Sequence, residues 1–186
     1  VIGIDMINNY YDVNLKKKRL KQINLSRNKK NFSFNKFDIS NIKKLNKIFL
    51  KHKIDVVVNL AAQAGVRYSI EKPRTYLSSN IIGTYNVIEI AHKAKVKHLL
   101  LASSSSIYGA NKKAPYKESD NTRTQLSIYA STKLATESLA HAYSNLWSLP
   151  ITAIRFFTVY GPWGRPDMAP MIFAKAMLNK KTINIF

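Results

Sequence analysis

The chain has 186 residues, 46% of them hydrophobic, enough for one soluble domain with a sizeable core. It has no cysteine, which excludes disulfides, thiolate catalysis and thiolate metal sites, and no apolar run reaches the roughly 18 residues of a membrane span. The net charge of +20 is large, but the lysines fall in short scattered groups such as Lys16–Lys17–Lys18–Arg19, Lys29–Lys30 and Lys112–Lys113. Lysine-rich residue usage accounts for that charge, and no nucleic-acid partner is expected.

The segments alternate in chain order. Val1–Asp5 reads as a strand ending in an acid, Asp12–Ile23 as a basic helix and Phe32–Phe37 as a strand. Ser40 is placed to cap a helix through about His52, with Ile42, Leu45, Ile48 and Phe49 at helical spacing. Asp55–Leu60 reads as an apolar strand covered on both faces. Pro73 suits the first turn of a long helix through about Lys93. Val96–Ser103 is a strand, Leu126–Leu146 a helix, Ile151–Phe157 a strand, and Pro170–Asn179 a further helix.

Strands alternating with helices imply crossover connections and a parallel sheet. The fold class is therefore α/β, a Rossmann-type doubly wound sheet, expected as a single domain over residues 1–186. Ligands of such sheets collect at the carboxyl ends of the strands. There stand Asp5, Asp38, Ala61–Ala62, Ser103–Ser106 and Thr158. The sequence opens on a strand and closes inside what reads as another, Thr182–Phe186. It is expected to be incomplete at both ends, lacking the first strand, the glycine-rich phosphate loop and most of a substrate lobe. The opening VIGID has no signal-peptide pattern, so a cytoplasmic location is expected.

Tyr129-Ala-Ser-Thr-Lys133 is the central motif. Four residues apart on a helix, the two side chains share one face. A phenol ordinarily loses its proton near pH 10. A lysine cation within about 4–6 Å favours the phenolate and makes it a usable base. Taken alone, the pair also fits an exposed helix pair of no chemical role. Ser103–Ser106 follow an apolar strand, where a hydroxyl can hydrogen-bond a substrate oxygen; they also suit a turn that satisfies its own backbone. Asp5 fits the acid that accepts from the adenosine ribose hydroxyls, favouring NAD over its 2′-phosphorylated form, or a local cap. Asp38 and Ile39 fit the border of an adenine site, or the start of the next helix. His52, His92, His98 and His141 show no ligand spacing, so no metal is expected.

The set Asn59-Leu-Ala-Ala62, Ser-Ser-Ser-Ile-Tyr-Gly109, Tyr129-x-x-x-Lys133 and Arg155-Phe-Phe-Thr-Val-Tyr-Gly-Pro162 resembles the extended short-chain dehydrogenase/reductase family. Ala61-Ala-Gln-Ala-Gly-Val-Arg-Tyr-Ser69 and Thr158-Val-Tyr-Gly-Pro-Trp-Gly-Arg-Pro-Asp-Met168 most resemble its UDP-glucuronate 4-epimerases. The resemblance implies NAD as cofactor, a UDP-linked uronic acid as substrate and a homodimer. It implies Tyr129 as base and acid, Lys133 as its activator and nicotinamide-ribose ligand, and Ser104 as the hydroxyl partner. Leu60, Ala61 and Ala62 would line the cofactor, and Asn80 would support the site. Gln63, Arg67, Ser105, Thr158 and Arg165 would surround the substrate.

Related dehydratases carry an acid where this chain has Ser105 and Ser106. Two serines are poor at protonating a leaving hydroxyl, but they suit a substrate that brings its own carboxylate. The expected reaction is therefore inversion at C4. A UDP-glucose 4-epimerase and a non-catalytic nucleotide- or RNA-binding member of the family are the alternatives. The stripes Ile81, Ile82, Tyr85, Ile88 and Leu134, Leu139, Tyr143, Leu146 have core-face spacing, and one such face is a candidate dimer interface.

Overall fold

A computed structural model describes residues 1–26 and 29–183. It divides into two compact units, residues 1–36 with 158–186, and residues 37–157. The strands form two parallel sheets flanked by helices, as the α/β reading expects.

In the smaller unit, β1 (Ile2–Asp5) pairs in parallel with β2 (Ser33–Lys36). The crossover is α1 (Val13–Leu25), whose first turn is capped by the Asp12 carboxylate accepting from Asn14 N at 2.8 Å. The last helix of the chain, Ala169–Leu178, lies in the same unit with a proline in its first turn. Thr182 and Ile183 are not in a strand, and the remainder of the strand expected at Thr182–Phe186 lies outside the described residues.

The larger unit carries a parallel three-stranded sheet in the order β3 (Val56–Asn59), β4 (His98–Ala102), β5 (Ile151–Ile154). The helix between Asn41 and His52 is α2 (Ile42–Lys51). Its cap is Asn41, accepting from Lys44 N at 3.0 Å, rather than the expected Ser40. The Asp38 carboxylate takes the Ser40 N–H at 2.9 Å, so Ser40 belongs to the turn before the helix. The long helix expected from Pro73 is three pieces: α4 (Pro73–Tyr76), a π-helical stretch Leu77–Gly83, and α5 (Thr84–Lys93). The four-residue α3 (Tyr68–Glu71) precedes them. The helix α6 (Ile128–Trp147) packs against α5 and is capped by Ser127 Oγ, which accepts from Ala130 N at 3.0 Å.

Ile88, Leu99, Leu101, Ile107 and Tyr76 form the core of this unit. Val56 and Val58 are 51% and 58% exposed. Among the described residues β3 pairs with β4. The apolar stripes are also only partly core. Ile88 and Tyr143 are buried, whereas Ile82, Tyr85 and Leu146 are exposed.

Two glycines set close approaches. At Gly83 a Cβ would meet Ile39 Cγ1 at 2.7 Å, so the π-helical stretch lies directly on Ile39. Gly109 ends the short 3-10 helix Ser105–Tyr108 at φ +54°. A Cβ there would fall 1.9 Å from the Thr124 carbonyl oxygen, which also accepts from Ala110 N. Gly109→Ala is expected to cost more than about 3 kcal/mol in chemical denaturation, from combined strain and overlap. A loss under about 1 kcal/mol would show that this turn yields freely.

Candidate active site

Strand β4 ends at Ala102, and the backbone beyond it is held by β5. Ser103 N donates to Ile154 O and Ser105 N to Phe156 O, both at 2.8 Å. The serines therefore leave the sheet in a fixed path. Ser104 caps the 3-10 helix, its Oγ accepting from Ser106 N at 3.2 Å. An accepting hydroxyl still has its own proton to donate. Ser103 Oγ is buried and has no hydrogen-bond partner among the described residues.

Helix α6 packs on this strip. Lys133 is 5% exposed, and its Nζ donates to Ala102 O at 2.6 Å. Burial pushes its ammonium down from the usual 10.5 to about 8. One turn earlier, the half-buried Tyr129 stands edge-on to Tyr76, centroids 6.2 Å apart at 78°. No group among the described residues hydrogen-bonds the Tyr129 hydroxyl, so its proton is not committed within the protein. The sequence motif and the serine strip thus converge on the carboxyl end of β4.

A polar scaffold lies behind them. Asn80, on the π-helical stretch, is fully buried and reaches two elements. Its Oδ1 accepts from Gln63 N at 2.7 Å, and its Nδ2 donates to Gln63 O at 3.1 Å and Thr132 Oγ1 at 3.0 Å. π-helical turns within longer helices recur at functional sites. The Tyr76 hydroxyl donates to Ala64 O at 2.8 Å, tying the same loop to the ring beneath Tyr129. Sequence reasoning missed Tyr76 and Thr132. The readable signal was polar residues inserted in otherwise apolar helical stripes.

The other expected site residues divide. Ala61 and Ala62 are half-buried beyond the end of β3, and Leu60 is 65% exposed. Gln63 is buried, with its amide donating to Ala64 O at 3.1 Å, so it holds the loop together. Arg67 is exposed at the start of α3. Asp38 caps the turn before α2, and Ile39 is a core residue whose carbonyl accepts from Asn86 Nδ2 at 3.1 Å. Asp5, Thr158 and Arg165 lie in the smaller unit. Asp5 is exposed at the end of β1 and accepts from Ile7 N at 2.6 Å. Thr158 is exposed. Arg165 forks onto Asp167, Nε to Oδ1 at 3.0 Å, and Tyr10 donates to the other carboxylate oxygen at 2.9 Å.

Parallel strands and crossover helices, with a Tyr–Lys helix packed on a hydroxyl strip, define a Rossmann-type α/β fold. The sequence signature of the NAD dependent epimerase/dehydratase family matches residues 5–186, and the chain belongs to that family. It is 54% identical over its whole length to Protein CapI of Staphylococcus aureus, covering 54% of that protein. It is 43% identical to a probable UDP-glucuronate 4-epimerase of Rhizobium meliloti, again covering all of this chain and 54% of the relative. Among solved structures it is similar to the UDP-glucuronic acid 4-epimerase of Bacillus cereus in complex with UDP-glucuronic acid and NAD. The TM-score is 0.90 at 36% identity, over 100% of this chain and 57% of that one. The chain therefore spans about half the length of the curated relatives it matches. No helix among the described residues is long and apolar enough to cross a membrane.

Proposed function

We propose that the protein carrying this chain inverts C4 of a UDP-linked sugar through a transient 4-keto intermediate, with UDP-glucuronate as substrate. The observation that carries this reading is the end of β4, where Lys133, anchored to Ala102, adjoins a strip whose polar side chains are all neutral hydroxyls. The similarity to two UDP-glucuronate 4-epimerases supports the choice of substrate.

The residues present fit NAD. Ala61 and Ala62 put no bulk at the end of β3. The unpartnered Ser103 hydroxyl offers a further polar contact. Lys133 would hold the nicotinamide ribose. When bound, NAD supplies hydride acceptance and return at C4.

The protein's own groups supply the rest. Tyr129 takes the C4 hydroxyl proton, helped by the Lys133 cation beside it. The Ser104 hydroxyl donates to the same oxygen as it becomes a carbonyl. The ketone turns to present its other face, and Tyr129 returns the proton. A 4-keto uronate is a β-keto acid and can lose CO₂. A neutral donor from Ser105 would hold its carboxylate without the repulsion that an acidic residue would bring.

Incubating the full chain with NAD⁺ and UDP-glucuronate, and following UDP-galacturonate by chromatography, tests the reading. Epimer formed from UDP-glucose and not from the uronate would move the assignment to a UDP-glucose 4-epimerase. Exposed Ile82 on the π-helical stretch, Tyr85 on α5, and Leu146 and Trp147 on α6 support pairing with a second copy, which sedimentation reads as a doubled mass.

A further inference from the structure

Arg155 follows β5 directly and has no part in the chemistry above. Its guanidinium forks onto Glu137, Nε to Oε1 at 3.1 Å and a terminal nitrogen to Oε2 at 2.9 Å. Both side chains are largely buried, at 20% and 15% exposure. The other terminal nitrogen donates to Glu118 O at 2.9 Å and lies 3.4 Å from the Tyr108 hydroxyl. The guanidinium carbon is 5.2 Å from the centroid of the Tyr108 ring. Arg155 therefore touches α6, the end of the serine-bearing 3-10 helix and the loop beyond it.

Its place in the backbone matters as much. The residues on either side, Ile154 and Phe156, are the two whose carbonyls hold Ser103 and Ser105. The serine strip and the Arg155 side chain are thus fixed by one short piece of chain. On α6, Tyr129, Lys133 and Glu137 follow at four-residue steps and so run along one helix face. Lys133 is pinned to Ala102, and Glu137 to Arg155. Asn80 on Thr132 is a further tie, and the Arg155 fork adds one a turn beyond Lys133 that resists a change of tilt. About 6 Å separates Tyr129 from Lys133 along the axis, so a tilt of about 10° moves the phenol by about 1 Å. A displacement of that size is enough to cost about 10²-fold in rate.

We propose that Arg155 and Glu137 are a positioning pair, which sets Tyr129 in register with Ser104 on the substrate oxygen. The proposal rests on the epimerase reading, and it assigns neither residue a contact with substrate or cofactor. A bidentate fork has one preferred geometry, which a flexible single-point ammonium lacks. That suits alignment better than mere attachment.

The test separates alignment from folding. In the full chain, Arg155→Met is expected to lower kcat about 30- to 100-fold, with the KM for the UDP-sugar changed less than about threefold. Arg155→Lys, keeping charge without the fork, falls between. Arg155→Met alone strands a buried carboxylate, whereas Arg155→Met/Glu137→Leu removes both charges and is expected to regain the wild-type Tm. Its kcat stays low if the pair positions. A double variant with wild-type kcat overturns the proposal and leaves the pair a structural tie only. A crystal structure of the double variant reads placement without substrate. The Lys133 Nζ to Ala102 O separation, 2.6 Å here, should lengthen by at least about 0.5 Å, and an unchanged contact contradicts the proposal. If the wild type turns over no UDP-sugar, the epimerase reading fails, while the crystallographic result still decides the pair.

Discussion

Tyr129→Phe in the full chain is expected to lower kcat by at least about 10³-fold while the protein stays folded. Under the proposed function the phenol moves a proton at the substrate hydroxyl, and such transfers contribute about 10²–10⁴-fold. The substitution removes a hydroxyl that no described residue hydrogen-bonds, and it keeps the ring that stands edge-on to Tyr76 at 6.2 Å. Stability should therefore change by less than about 1 kcal/mol. Turnover and thermal unfolding on one preparation check both statements. A variant retaining more than a tenth of the activity would remove Tyr129 from the reaction.

Lys133→Met is expected to abolish turnover and to stabilise the chain at neutral pH. Burial lowers the Lys133 pKa from 10.5 to about 8. Below about pH 8 both folded and unfolded chains hold the proton, and the folded state bears the full cost of a buried cation. That cost is about 3 kcal/mol before the hydrogen bond to Ala102 O offsets part of it. Between about pH 8 and 10.5 the unfolded state binds more protons than the folded one. Wild-type stability thus rises with pH in that window relative to the methionine variant. Chemical denaturation at pH 7 and pH 10 measures this. A difference between the two proteins that does not change with pH would show that Lys133 titrates alike folded and unfolded.

The parts of the site legible in the sequence were those set by local spacing. Tyr129 and Lys133 had to share a helix face, and Ser104 had to follow an apolar strand. What stayed hidden depends on contacts distant in sequence. Asn80 bonds Thr132 across 52 positions, and Arg155 meets Glu137 across 18. Glu137 stands one further four-residue step along the Tyr129–Lys133 face, a pattern visible without a structure, but its partner is not. The cap of α2 is Asn41, accepting from Lys44 N, one residue after the Ser40 that the sequence suggests, and Asp38 holds the Ser40 N–H in the turn before it.

The central claim is inversion at C4 by oxidation and return of the same hydrogen. It is tested most directly with UDP-glucuronate carrying deuterium at C4, incubated with the full chain and unlabelled NAD⁺ in ordinary water. The account predicts UDP-galacturonate that keeps its deuterium at C4, because the hydride is held within one active site while the ketone turns. Epimer that has exchanged its C4 deuterium for solvent hydrogen, or no C4 epimer at all, would contradict it.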